Sequence, residues 1–496
     1  MITARTTCSC FALLVTSLVV GAARADGLAM RTESFDRDPG WEALNNHIVP
    51  ERIPTITQDF GYSAETSFAG DGKGEMGGRV TRAARPAYYA DRIGPRTLND
   101  KLSAAGMLAI TKSGAGSGIF FGFFNANLPE ASGRPPSSIG IEIDGENAGC
   151  RMAIRAHSVN NLSAGKFVTK FERYRTKEEQ PKMRPTPVRN DGTRYAWTLD
   201  YDPAAAAGNG QVRFTIKSNA ATPADFEGKD VVFDLPEGFK QAGATFDRFG
   251  LINGTKPGGA MTIHFDDLRY DGKSQDFSKD PGWVESGGRA TYETPVVVGA
   301  HDFGFSAQTN FAGGRSAGEV GGSLWRSGKY ACYADALPAP LSLDDPLEAS
   351  GRVVLLVGAP DSDMFIGWFD GAAKERSPLE VGSFVGVHVG GPTRVGHYFH
   401  PAFATAKGTS GNAQTGPVLT PGKTYDWKVR YDPAANNGLG AIEVKLGDES
   451  IALPLKQGIK AQGARLDRFG LLVNPIGGQV VRIYFDDLKY TAARAK

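Results

Sequence analysis

Ala260-Met261-Thr262-Ile263-His264-Phe265-Asp266-Asp267-Leu268 reads as a β-strand, and Val480-Val481-Arg482-Ile483-Tyr484-Phe485-Asp486-Asp487-Leu488 reads as the same strand a second time. Side chains on a strand point alternately to its two faces, so a rough alternation of apolar and polar residues marks a strand with one buried face. Both stretches close on Phe-Asp-Asp-Leu, which makes them the ends of two copies of one unit.

Working outward, the copies match in the same order throughout. Phe35-Asp36-Arg37-Asp38-Pro39-Gly40-Trp41 recurs as Phe277-Ser278-Lys279-Asp280-Pro281-Gly282-Trp283, and Gly74-Glu75-Met76-Gly77-Gly78 recurs as Gly318-Glu319-Val320-Gly321-Gly322. Tyr89-Ala90-Asp91 matches Tyr333-Ala334-Asp335, Tyr201-Asp202-Pro203 matches Tyr431-Asp432-Pro433, and Asp247-Arg248-Phe249-Gly250 matches Asp467-Arg468-Phe469-Gly470. Units of this length are domains rather than solenoid repeats. The expected division is residues 1–25, 26–272 and 273–496, with the repeat boundary near Gly272.

Residues 1–25 carry the features of a secretory signal peptide. Arg5 supplies a basic start, Phe11 to Val20 an apolar run too short to span a bilayer, and Ala23-Arg24-Ala25 a small-x-small cleavage site. The expectation is a secreted chain, extracellular or periplasmic, with no membrane insertion. A formal charge of +1 gives no general attraction to nucleic acid. Cys150 and Cys332 fall in different repeats and are no disulfide framework; two separate thiols are expected, with a single bridge the alternative.

Long helical periodicity is missing. Gly118-Ile119-Phe120-Phe121-Gly122-Phe123-Phe124 is apolar enough for a fully buried strand, and Ile141-Glu142-Ile143-Asp144 alternates. Short strands separated by Gly, Pro, Asn and Asp predict an all-β chain of antiparallel two-sheet sandwiches. Trp41 and Trp283, shared by both copies, are expected in the cores.

The apolar central strand, the Trp-x-Leu/Val-x-Tyr-Asp strand and the terminal Phe-Asp-Asp-Leu strand together resemble the concanavalin A-like jelly roll of the lectin/glucanase and laminin-G-like superfamily. That resemblance implies two tandem sandwiches and a carbohydrate partner. It also suggests structural calcium near the first and last strands, with Asp38, Asp266, Asp280 and Asp486 as candidate oxygen ligands. Turn capping and surface ion pairing are the simpler roles for the same aspartates. No organic cofactor is expected: the chain has no phosphate loop, no dinucleotide fingerprint and no Gly-x-Ser-x-Gly elbow.

Positions where the copies differ are the better candidates for function. Glu142, Asp144 and Glu146 alternate, so a strand sets all three carboxylates on one face, whereas repeat two reads Val387-His388-Val389-Gly390-Gly391. Beyond a turn, Arg151, Arg155 and His157 alternate too, so a hairpin would place bases beside acids. The carboxylate strand resembles the Glu-x-Asp-x-Glu strand of family-16 glycoside hydrolases. That resemblance implies Glu142 as nucleophile, Glu146 as acid/base and Asp144 as the carboxylate tuning them. Gly145 stands where that family has an apolar residue. An exposed strand face with weak ion pairs explains the same residues.

A second asymmetry runs from Lys166 to Arg194, with nine basic residues against four acids. Arg173, Tyr174 and Arg175 at its centre suit an acidic polysaccharide, since a guanidinium binds carboxylate or sulfate bidentately; a solvated loop is the alternative. Repeat two instead gathers His388, Arg394, His397 and His400, a set able to abstract a proton as a polysaccharide lyase does. Three classes of function follow: a carbohydrate-active enzyme, hydrolase before lyase; a lectin-like binding module; or a structural surface protein.

Overall fold

A computed structural model describes residues 27–146, 149–159, 162–169, 188–218, 229–326, 329–359, 361–372, 382–391, 396–475 and 478–494. The signal-peptide reading, and Arg173, Tyr174 and Arg175, lie outside the described residues. The chain is all-β, as expected. Its strands form antiparallel sheets, and helix is confined to pieces as short as Phe239–Ala242. Four sheets form two sandwiches, each around its own apolar core. Among the described residues no helix is long and apolar enough to cross a membrane.

One sheet of each sandwich positions the site. In the first it contains, as neighbours, Gly149–His157, Ser138–Glu146 and Ser117–Phe124; in the second, Ser362–Phe369, Phe384–Gly391 and His397–Ala404. The strands Ser117–Phe124 and Ser362–Phe369 are buried along their whole length. Beside them Ile141 and Ile143 face the core, which turns Glu142 and Asp144 to the opposite face.

The two sandwiches exchange their opening segments. Leu28–Glu33 pairs with the last strand, Val480–Ala493, and Glu42–Leu44 pairs with Cys332–Leu341. Reciprocally, Val284–Ser286 pairs with Tyr88–Thr97, and Arg289–Glu293 pairs with Thr55–Ser63. Trp41 therefore lies in the second core, against Tyr333 and Tyr490, and Trp283 in the first, against Tyr89 and Tyr270. Gly272 marks where the sequence begins to repeat, whereas each packed unit is completed by the other repeat's opening arm. Burying one such aromatic side chain contributes roughly 1.5–3 kcal/mol.

The paired aspartates are explained by a bulge. Asp267 and Asp487 adopt φ of 51° and 49°, and the strand register slips beside each pair. The bulge turns Asp266 and Asp486 into the body, where they are 3% and 1% exposed and each accepts the next residue's N–H at 2.7 Å.

Candidate functional site

The carboxylate strand and the strand after it do form a hairpin, with Asp144 directly opposite Arg151 and Glu142 opposite Ala153. Asp144 accepts hydrogen bonds from Arg82 and, at 3.0 Å, from Arg151. Glu142 sits 3.5 Å from both Arg134 and Arg155 with its side chain 13% exposed. Burial alone would raise its carboxyl, but Arg134 and Arg155, then Arg82 and Lys256, hold it below the ordinary carboxylate value. Glu142 is thus an anion clamped by cations.

Glu146 and His157, also expected here, take no part in these ion pairs. Glu146 is exposed at the strand end, where its backbone carbonyl accepts from Ser113 Oγ at 2.6 Å. His157 is buried and held well below its ordinary value by burial, then by Arg134 and Arg155. Arg155 lays its guanidinium over the Phe167 ring at 4.8 Å. At the ends of the basic run, Arg189 pairs with Asp191 at 2.9 Å and Arg194 with Asp71 at 2.6 Å.

Repeat two builds an analogous wall from different residues. His388 pairs with Phe365 and His400 just as Glu142 pairs with Phe120 and Ala153. Arg326 follows Gly321-Gly322 at the spacing at which Arg82 follows Gly77-Gly78. Its carboxylate partners are Asp361 at 2.6 Å and Asp363 at 3.3 Å. Asp363 stands on the neighbouring strand, at the position of Gly118, and faces Gly390, whereas Gly118 faces Asp144. The carboxylate has changed strands while keeping its arginine. A Cβ at Gly118 would come within 2.6 Å of Arg82 Nε, so the arginine occupies that space in repeat one.

A short polar chain continues from there. Asp363 lies 3.4 Å from His388 Nε2, and His388 Nδ1 lies 3.0 Å from His400 Nε2. The two rings stack at 5.0 Å, and His388 also stacks on Phe365 at 4.5 Å. Burial, then His388, pushes His400 down to about 4. His397 turns the other way, 2.9 Å from buried Ser362 Oγ, and burial pushes it to about 4 as well.

These two walls enclose one cleft of about 650 Å³ between the sandwiches. Arg82, Arg134, Glu142, Asp144, Arg151 and Lys256 line one side. Arg326, Asp361, Asp363, His388, Tyr398 and His400 line the other. Several buried polar atoms on these residues have no hydrogen-bond partner, among them Arg82 Nε, Glu142 Oε2, Arg326 Nε, Asp363 Oδ1 and His400 Nδ1. Sequence reasoning passed over Arg82, Arg134, Lys256, Arg326, Asp361 and Asp363. The matched spacing of Arg82 and Arg326 after their glycine pairs was the available signal.

The candidate calcium ligands are divided between the two sandwiches. Asp266 and Asp486 belong to different sandwiches. Asp38 and Asp280 each accept their own turn's N–H, from Gly40 and Gly282 at 2.9 Å. Among the described residues no three His, Cys, Asp or Glu side chains converge as metal ligands. Cys150 and Cys332 are not joined in a disulfide.

No family model and no curated protein matches the chain. Solved structures similar to it include domains LG4-5 of the mouse laminin α1 chain, at 9% identity and TM-score 0.22, covering 88% of this chain and 92% of that one. The LG1-3 region of the laminin α2 chain is similar at 10% identity and TM-score 0.23 over 84% of this chain; the match spans 62% of that chain, less than two thirds of its length. Arcelin-5, a lectin-like defense protein from Phaseolus vulgaris, is similar at 9% identity and TM-score 0.25, covering 50% of this chain and 99% of that one.

Proposed function

We propose that the protein is a secreted carbohydrate-binding protein that holds a saccharide in the cleft between its two sandwiches, using one wall from each repeat. The observation that carries this reading is the set of planar polar side chains fixed in place by ion pairs yet retaining unfilled hydrogen-bond capacity. Sugar hydroxyls are donors and acceptors in fixed ring geometry, and guanidinium, carboxylate, imidazole and amide groups match them two bonds at a time. Tyr398 adds an aromatic surface, and Asn412 and Gln414 add amides at the rim. The volume lies within the roughly 300–1,000 Å³ of small-ligand sites.

Binding without turnover is the favoured form. Retaining hydrolysis needs two carboxyls about 5–5.5 Å apart, one of them able to donate a proton. Glu142 is held as an anion, and Glu146 is not among the residues lining the cleft. The test is a panel of neutral and acidic oligosaccharides read by calorimetry, alongside an assay for released reducing ends and unsaturated products. Binding that is lost in both Arg82→Gln and Arg326→Gln, with no product formed, supports the reading. Product formation sinks the binding-only form, and no binding across the panel sinks the site.

A further inference from the structure

We infer that the saccharide held in this cleft carries an anionic group, a ring carboxylate or a sulfate ester, seated on the first-repeat wall against Lys256. This deepens the reading above and rests on it.

The charges on that wall do not balance. Glu142 and Asp144 are its two acids, and each already has two arginines: Arg134 and Arg155 on Glu142, Arg82 and Arg151 on Asp144. Lys256 comes in addition. It is half-buried in the lining, and no ion pair or hydrogen bond joins it to any described residue. The neighbours that act on it most strongly are cationic Arg82, then Asp144, Arg134 and Asp361 from the opposite wall. Burial first, and then Arg82, push its ammonium down to about 8. A cation partly withdrawn from water beside other cations is unfavourable unless something compensates it.

Asp361 is the internal candidate for that role, but it is spent on Arg326 at 2.6 Å and its side chain is 61% exposed. The buried atoms left open on this side include Arg82 Nε, a donor. A donor and a free ammonium on one wall select an acceptor that carries charge. Carboxylate and sulfate share this chemistry, each offering anionic oxygens to an ammonium and a single guanidinium N–H together.

The experiment uses the full chain and isothermal calorimetry with four probes: a galacturonate oligomer, its methyl ester, a sulfated oligosaccharide and sodium sulfate. The acid oligomer or the sulfated oligomer is expected to bind at least about ten-fold more tightly than the neutral ester, with a preference that shrinks in high salt. Lys256→Met should erase that preference, Lys256→Arg should keep it, and Lys445→Met on an outer strand should change nothing. Which of the two charged oligomers prevails separates carboxylate from sulfate. Equal affinity for acid and ester, or a preference that survives Lys256→Met in a protein with unchanged circular dichroism, overturns this inference and leaves the saccharide reading standing. Binding of free sulfate with no oligosaccharide binding overturns both.

Discussion

Trp41 packs edge-on against Tyr490, ring centres 6.2 Å apart, although the two stand at opposite ends of the chain. The equivalent pair in the other sandwich is Trp283 against Tyr270 at 5.7 Å. The first pair exists because the opening arm of repeat one completes the second sandwich; the second because the arm of repeat two completes the first.

That exchange makes the two tryptophans report on opposite units. Trp41→Ala should loosen residues 302–493, and Trp283→Ala residues 55–270, each costing about 3–5 kcal/mol as a large aromatic is removed from a core. Segment-resolved hydrogen exchange distinguishes them. Loss of protection in 55–270 on Trp41→Ala would contradict the exchange.

Lys256 should trade stability for binding. Its ammonium is held at about 8, below the 10.5 of an unfolded chain, so the unfolded state binds more protons between those values. Stability should therefore rise with pH from about 8 to 10.5 and be lowest, on this account, below 8. Lys256→Met should raise the stability at pH 7, by roughly 1–3 kcal/mol at most after screening of a half-buried group, and flatten that slope. Affinity for an acidic saccharide should move the opposite way and fall as pH passes 8. Thermal melts across pH 6 to 10 measure both signs; a destabilised Lys256→Met would mean the ammonium is compensated within the fold.

Glu142→Gln tests the strand as structure against the strand as catalyst. Removing the anion leaves Arg134 and Arg155 facing one another without it, so a loss of about 1–3 kcal/mol is expected. No reducing ends should be released by either the wild type or Glu142→Gln. Activity in the wild type that Glu142→Gln and Glu146→Gln abolish, with the fold intact, would restore the hydrolase reading.

A chelator should leave the melting temperature unchanged, because among the described residues no three His, Cys, Asp or Glu side chains converge as metal ligands, and a calcium ion takes 6–8 oxygen ligands. Asp486→Asn should raise it near pH 7.5, since burial pushes that carboxyl up to about 6 and an amide keeps the bond to the Asp487 N–H without the buried charge. A chelator-induced drop that calcium reverses, together with a destabilised Asp486→Asn, would establish a metal there.

The sequence by itself determined the duplication, the all-β class and the identity of the strands, because these rest on local patterns: period-two alternation, glycine and proline punctuation, and motifs recurring in order. It also placed Glu142, Asp144 and Arg151 on one hairpin face, since alternation and a turn suffice for that. Only the tertiary structure decided which arm completes which sandwich. The two arms share the Asp-Pro-Gly-Trp motif whose tryptophan is buried in each core, so that motif does not choose between them. Only the tertiary structure, too, decided where the site lies. Arg82, Lys256, Arg326 and Asp363 are single charges scattered over nearly three hundred positions, and each looks like an ordinary surface residue until the two sandwiches face each other. Carboxylate Asp363 stands on the strand next to the place of Asp144, which hid the correspondence from a comparison of the repeats along the chain; the spacing that Arg82 and Arg326 share after their glycine pairs was its trace in the sequence.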